Sequence, residues 1–155
     1  MLLDAEASQL VLVDFQVRLM PAMFETSAVQ ANAVRLANLA ALLRVPAFAT
    51  EQNPARLGNS IPELQGALQK ASAQVLAKMR FSAVQEGLGA LLRPPAKPVQ
   101  GNARSLPRHL QKNTAGIERV SVVLAGCEAH VCLLQTALEL LEEDFDVWVV
   151  TDACS

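Results

Sequence analysis

The stretch Val120-Ser121-Val122-Val123-Leu124-Ala125-Gly126-Cys127-Glu128-Ala129-His130-Val131-Cys132 decides the fold. Its first six residues are mostly β-branched and apolar, a run that reads as a strand buried on both faces. Such a strand needs parallel neighbours and helices packed above and below it. From residue 133 the pattern changes. Leu134, Ala137, Leu138 and Leu141 recur at helical spacing with acids between them, which predicts a helix over 133–143 with those four on its buried stripe. Cys132 falls in the first turn of that helix, where unpaired N–H groups and the positive end of the helix dipole favour a thiolate over a thiol. A thiolate so placed is a nucleophile with anion-stabilising donors beside it, the arrangement acyl transfer requires.

Working outward, Gln9 to Asp14 reads as a first strand that ends in a carboxylate. Further strands are expected over 45–50, 73–78 and 146–151, the third again ending in a charge, Lys78. A long helix is expected over 28–43, with Val34, Leu36, Leu39, Leu42 and Leu43 supplying much of its buried stripe. Shorter helices are predicted over 84–92 and 106–113. The stretches 51–64 and 94–107 read as loops, being rich in Pro, Gly and Asn. Alternating strands and helices predict a single α/β domain over 1–155. It is a three-layer α/β/α sandwich around a mostly parallel, doubly wound, Rossmann-like sheet.

The composition narrows the partners. A net charge of −2 with no basic run argues against nucleic acid. The N-terminus carries acids where a signal peptide is basic, and no apolar stretch reaches membrane-span length, so no membrane partner and a cytoplasmic location are expected. Three cysteines, an odd number, read as reduced thiols rather than a disulfide framework.

In open α/β sheets, ligands bind beyond the carboxyl ends of the strands. Asp14, Lys78 and Cys132 should therefore emerge on one rim, bringing a carboxylate, an ammonium and a thiol together. At these residues the chain resembles the isochorismatase-like cysteine hydrolases, a family that includes nicotinamidases. The resemblance runs through Val13-Asp14-Phe15-Gln16, Thr50-Glu51-Gln52-Asn53-Pro54, Lys78-Met79-Arg80-Phe81-Ser82-Ala83, Gly126 to Cys132, and Val150-Thr151-Asp152-Ala153-Cys154. It is nearest to the isochorismatase-domain hydrolases of unassigned substrate.

The resemblance implies a catalytic triad of Cys132 as nucleophile, Asp14 as proton shuttle and Lys78 as the cation favouring the thiolate. It implies an oxyanion hole from the backbone N–H groups of Glu128 and Cys132, and a non-proline cis peptide at Cys127–Glu128. Gln16, Gln52 and Phe81 are expected to line the pocket of a small-molecule substrate. The family usually continues with a further helix and short strand, which this sequence, ending at Ser155, lacks; it also usually forms homo-oligomers. Two departures bear on the reaction. Nicotinamidases carry an Asp/His metal cluster after the second strand, where this chain has Glu51-Gln52-Asn53-Pro54, so no metal or other cofactor is expected. True isochorismatases lack the nucleophilic cysteine. The implied activity is hydrolysis of a C–N bond in a small amide-like substrate through a thioester.

Other readings stay open at this stage. Cys127 and Cys154 read as small buried apolar residues, and Cys127 also as a redox partner of Cys132 in a thiol sensor. His130 could serve as the base of a Cys-His dyad. The cysteine and histidine spacing matches no ordinary zinc pattern. A catalytically idle, oligomeric scaffold of the same fold is the competing reading of the whole chain.

Overall fold

The structure, a computed structural model, describes residues 2–94 and 119–155. The predicted helix over 106–113, and all but the first residue of the predicted loop over 94–107, lie outside the described residues. Five strands form one sheet: β1 (Ser8–Val13), β2 (Ala47–Gln52), β3 (Gln74–Lys78), β4 (Ser121–Gly126) and β5 (Asp146–Cys154). They lie in the order β3-β2-β1-β4-β5, and every neighbouring pair is parallel. The winding direction reverses between β1 and β4, which is the switch point of a doubly wound sheet. Among the described residues no helix is long and apolar enough to cross a membrane.

Period-two alternation along β1 divides the core in two. Leu10 and Leu12 face one side, where they meet α1 (Thr26–Leu43) and α3 (Pro62–Lys70); a single turn, α2 (Pro54–Leu57), precedes α3. Val11 and Val13 face the other side with Val122 and Leu124 of β4. There they meet a π-helical turn (Val84–Leu88), α4 (Gly89–Leu92) and α5 (Leu134–Glu142). The three-layer α/β/α sandwich is thus present, with helices on both faces.

Two helices turn different faces to the sheet from those expected. On α1 the buried residues are Val29, Ala33, Ala37 and Ala40, while Leu39, Leu42 and Leu43 point outward; Val34 and Leu36 are partly buried. Alanines at intervals of three and four let the helix axis lie close against the sheet, and a leucine face would hold it away. On α5, Thr136 and Leu140 are buried and Ala137 is partly so, while Leu134, Leu138 and Leu141 are exposed. Helix α3 overlaps the stretch 51–64 expected to be loop. Pro62 opens it at a position where the missing N–H costs nothing. Leu64, Ala67 and Leu68 then bury a helical stripe.

Gly126 ends β4 opposite Val13 of β1. Its φ is +148°, and a Cβ there would lie 2.2 Å from the Val13 carbonyl oxygen. Only glycine allows the two central strands to approach this closely at the switch point. The expected result for Gly126→Ala is a loss of about 2–4 kcal/mol of stability. It would be read as a lower urea midpoint at unchanged slope. A midpoint equal to the parent's would refute the close contact.

Candidate active site

At the end of β1 the backbone turns left-handed at Asp14, with φ of 56°. Aspartate tolerates that conformation better than most residues. The Gln16 N–H donates to the Asp14 carbonyl at 2.8 Å and the Asp14 N–H to the Thr50 carbonyl at 3.1 Å, so the turn is tied to the end of β2. The Thr50 hydroxyl donates to Asp14 Oδ1 at 2.6 Å, and both residues are sealed from solvent.

Lys78 ends β3 in register with Gln52 of β2. Its ammonium reaches past that strand end to lie 2.8 Å from Asp14 Oδ2, with both side chains fully buried. The same nitrogen donates to Gln52 Oε1 at 2.6 Å and to the carbonyls of Phe81 and Arg80 at 3.0 and 3.2 Å. A buried ammonium needs this number of oxygens around it. Apart from that ion pair, Asp14 Oδ2 has no hydrogen-bond partner among the described residues.

Cys132 stands in a π-helical turn (Ala129–Leu133) that leads from β4 into α5. The Glu128 carbonyl accepts from the N–H groups of Val131 and Leu133, skipping that of Cys132. The Cys127–Glu128 peptide is cis, as the resemblance implies. The Ala129 N–H donates to the Ser155 carbonyl at 2.7 Å, so the end of β5 holds the start of the turn. Asp14 and Lys78 both lie close enough to the thiol to act on it by charge.

Their effects oppose each other. Burial pushes the Cys132 thiol up to about 11; the Asp14 charge adds to the rise and Lys78 works against it. The expectation that the helix start makes Cys132 a resting thiolate is therefore corrected. With the site buried, desolvation and the neighbouring carboxylate outweigh the ammonium, and the resting group is a thiol. Cys127 is sealed in the core against Met20 Sδ at 3.8 Å, and burial pushes it up to about 12. All three cysteines are free.

Of the expected pocket residues, Gln52 accepts from Lys78 and donates its amide to the Met79 carbonyl at 2.8 Å. Gln16 is fully buried, and its amide hydrogens go to the carbonyls of Gln52 and Gly58. Phe81 is about half exposed and gives the site its carbonyl. His130 is exposed.

The sequence reading of single site residues misses Thr50, the donor to Asp14, although it sits inside the quoted Thr50-Glu51-Gln52 motif. It also misses the tie from α5 to the loop after Lys78. Ser82 Oγ donates to Glu139 Oε2 at 2.5 Å and the Ala83 N–H to Thr136 Oγ1 at 3.2 Å. The helix that follows the cysteine thereby holds the loop whose carbonyls surround the lysine. Among the described residues, no three His, Cys, Asp or Glu side chains gather as metal ligands.

A parallel, doubly wound sheet with a thiol, a carboxylate and an ammonium at its switch point defines the class to which comparison leads. The chain belongs to the isochorismatase domain family, whose domain matches residues 8–155. It is similar to isochorismatase domain-containing protein 2 of Danio rerio, with 31% identity over 99% of this chain and 65% of the relative. It is also similar to the secreted isochorismatase effector Isc1 of Phytophthora sojae, with 38% identity over 77% of this chain and 48% of the relative. Among solved structures, the MAR1 ribonuclease from Caenorhabditis elegans superposes with a TM-score of 0.79 and 27% identity, over 99% of this chain and 67% of that one. The chain thus spans between about half and two thirds of the length of these curated relatives.

Two measurements check the site. Thr50→Val keeps the side-chain shape but strands a buried carboxylate oxygen, so a loss of about 1–3 kcal/mol is expected, with Thr50→Ser retaining most of the stability. Equal stability of all three proteins would remove Thr50 from the account. The second reads the pH dependence of iodoacetamide labelling at Cys132 in folded protein. Labelling should be slow at neutral pH and rise toward pH 11, faster in Asp14→Asn and slower in Lys78→Met. Shifts of the same sign in both variants would show that the two charges do not act on the thiol as described.

Proposed function

We propose that the chain is a cysteine hydrolase that cleaves the C–N bond of a small amide-like substrate through a thioester. The observation that carries this reading is the buried contact of Lys78 with Asp14 beside the Cys132 thiol, at the switch point of the sheet.

The thiol rests protonated, so it must lose its proton during attack. Asp14 Oδ2 takes that proton as Cys132 Sγ bonds to the substrate carbonyl carbon. The carbonyl oxygen becomes an oxyanion facing the N–H groups of Glu128 and Cys132. Collapse breaks the C–N bond, and the nitrogen leaves as amine or ammonia with the proton from Asp14. Water then adds to the thioester carbonyl, giving a proton to Asp14. The second collapse expels the Cys132 sulfur, which recovers that proton, and the acid departs. Lys78 keeps Asp14 in place and offsets the negative charge that moves between carboxylate and sulfur.

Phe81 is the expected pocket residue with side-chain surface open to a substrate. Gln16 and Gln52 act at one remove, because their amide groups are taken up in holding the strand ends and Lys78. Three unpaired cysteines suit a reducing compartment such as the cytoplasm.

RNA cleavage, the activity named for the nematode structure, would need cationic groups facing phosphate. Lys78 is instead buried and surrounded by its own acceptors. The test is a screen of small primary and secondary amides for released ammonia or amine, with an RNA oligomer as a parallel arm. Amide turnover is expected, falling about a thousandfold or more in Cys132→Ala, with the acyl group trapped on Cys132 by mass spectrometry. Turnover that survives Cys132→Ala would overturn the thioester route. Cleavage of RNA alone would overturn the substrate class, and inertness in every arm would favour the idle scaffold.

A further inference from the structure

The Lys78 ammonium has more acceptors around it than hydrogens to give. Its nitrogen lies within 3.2 Å of four oxygens: Asp14 Oδ2, Gln52 Oε1 and the carbonyls of Arg80 and Phe81. An ammonium carries three N–H groups, so one of the four is in excess while Asp14 is ionised. When Asp14 is protonated its claim on the ammonium weakens. Three neutral oxygens then stand opposite three N–H groups, and two of them are the backbone carbonyls of Arg80 and Phe81.

The loop that carries those carbonyls is tied at both ends. At its start the Met79 N–H donates to Glu86 Oε2 at 2.6 Å, and the Met79 carbonyl accepts from Gln52 Nε2 at 2.8 Å. At its end the ties lead to α5. Ser82 Oγ donates to Glu139 Oε2 at 2.5 Å and accepts from the Val84 N–H at 3.3 Å, while the Ala83 N–H donates to Thr136 Oγ1 at 3.2 Å. Ser82, Ala83 and Thr136 are all buried. Thr136 and Glu139, three residues apart, share one face of α5, and α5 begins two residues after Cys132. Strand β3 supplies the lysine, but the helix that continues from the cysteine fixes the carbonyls around its ammonium.

We propose that Ser82 and Thr136 are positioning residues of the reaction. By fastening the Arg80 and Phe81 carbonyls to α5, they keep the Lys78 ammonium compensated in place while Asp14 is neutral. In the cysteine hydrolase cycle on which this rests, the Cys132 proton passes to Asp14 Oδ2 as Sγ bonds to the substrate carbonyl carbon. The negative charge moves from the carboxylate through sulfur to the carbonyl oxygen, and Lys78 loses its ion-pair partner. A buried cation without other acceptors resists that loss. With the two carbonyls held in place, the ammonium keeps three oxygens and stays beside the reacting atoms. With the loop loosened, Asp14 is held in its charged form and accepts the proton less readily.

The test compares the 155-residue parent with Ser82→Ala, Thr136→Val and the conservative Thr136→Ser, each alone and combined with Lys78→Met. Circular dichroism and urea midpoints establish that each variant is folded. The substrate-independent readout is the rate of Cys132 alkylation by iodoacetamide from neutral pH to about pH 11. The second is turnover of the small amides of the screen. Ser82→Ala and Thr136→Val are expected to slow alkylation about tenfold, in the same direction as Lys78→Met, and to lower kcat about ten- to a hundredfold with KM near the parent value. Thr136→Ser should restore both rates. In the Lys78→Met background neither change should slow alkylation further, because the effect runs through the lysine. Parent-like alkylation in folded Ser82→Ala and Thr136→Val would sink the proposal, as would a loss that Thr136→Ser fails to restore or one repeated in full without Lys78. An inert parent whose alkylation responds as described would reject the hydrolase reading and uphold the positioning of Lys78. Amide turnover untouched by either variant would reject the positioning role alone.

Discussion

Everything at the carboxyl rim of the sheet depends on one contact, the buried approach of the Lys78 ammonium to the Asp14 carboxylate at 2.8 Å. Neither charge can be sealed from water alone, since removing one partner leaves the other uncompensated at a cost on the order of 3–5 kcal/mol. The surrounding chain is arranged to satisfy both. Thr50 at the end of β2 takes one carboxylate oxygen, Gln52 takes part of the ammonium, and the loop after β3 turns two carbonyls toward it. Helix α5 holds that loop through Thr136 and Glu139. A well-packed apolar pair could join these strand ends at equal or lower cost, so stability alone does not account for the charges.

The ion pair also sets the state of the cysteine. A lysine favours a thiolate, yet burial and the Asp14 charge prevail over it and the thiol keeps its proton. For a hydrolase this is a workable resting state. A sulfur that ionises only while it attacks needs a base beside it, and Asp14 Oδ2 is that base in the proposed cycle. The same reasoning separates Cys132 from Cys127: both are buried, but Cys127 contacts Met20 in the core while Cys132 meets Asp14 and Lys78.

The helices show where reading by hydrophobicity goes astray. Leucine outranks alanine as an apolar residue, so the leucines of α1 and α5 are natural candidates for the buried stripe. A helix lying across a parallel sheet is limited by distance as well as by hydrophobicity. Ala33, Ala37 and Ala40 allow a close approach, and the leucines are left outside. On α5 the residues facing inward include Thr136, whose hydroxyl is needed by the Ala83 N–H. A polar partner three-dimensionally fixed in this way leaves no mark in hydrophobic periodicity.

The sequence by itself determined the mostly parallel sheet and its layers, and it put forward Asp14, Lys78 and Cys132 as the candidate site. Those features follow from local signals: β-branched runs, charges at strand ends, and a cysteine just past a strand. The motifs around Asp14, Lys78 and Cys132 carried the family resemblance and the cis peptide between Cys127 and Glu128. Only the tertiary structure decided the protonation of the thiol, the role of Thr50, the inward position of Gln16 and Gln52, and which helix faces remain open. These depend on distances between segments far apart in the chain and on exclusion of water from the spaces between them. Neither quantity exists until β1, β2, β3 and the head of α5 have closed around the same few atoms.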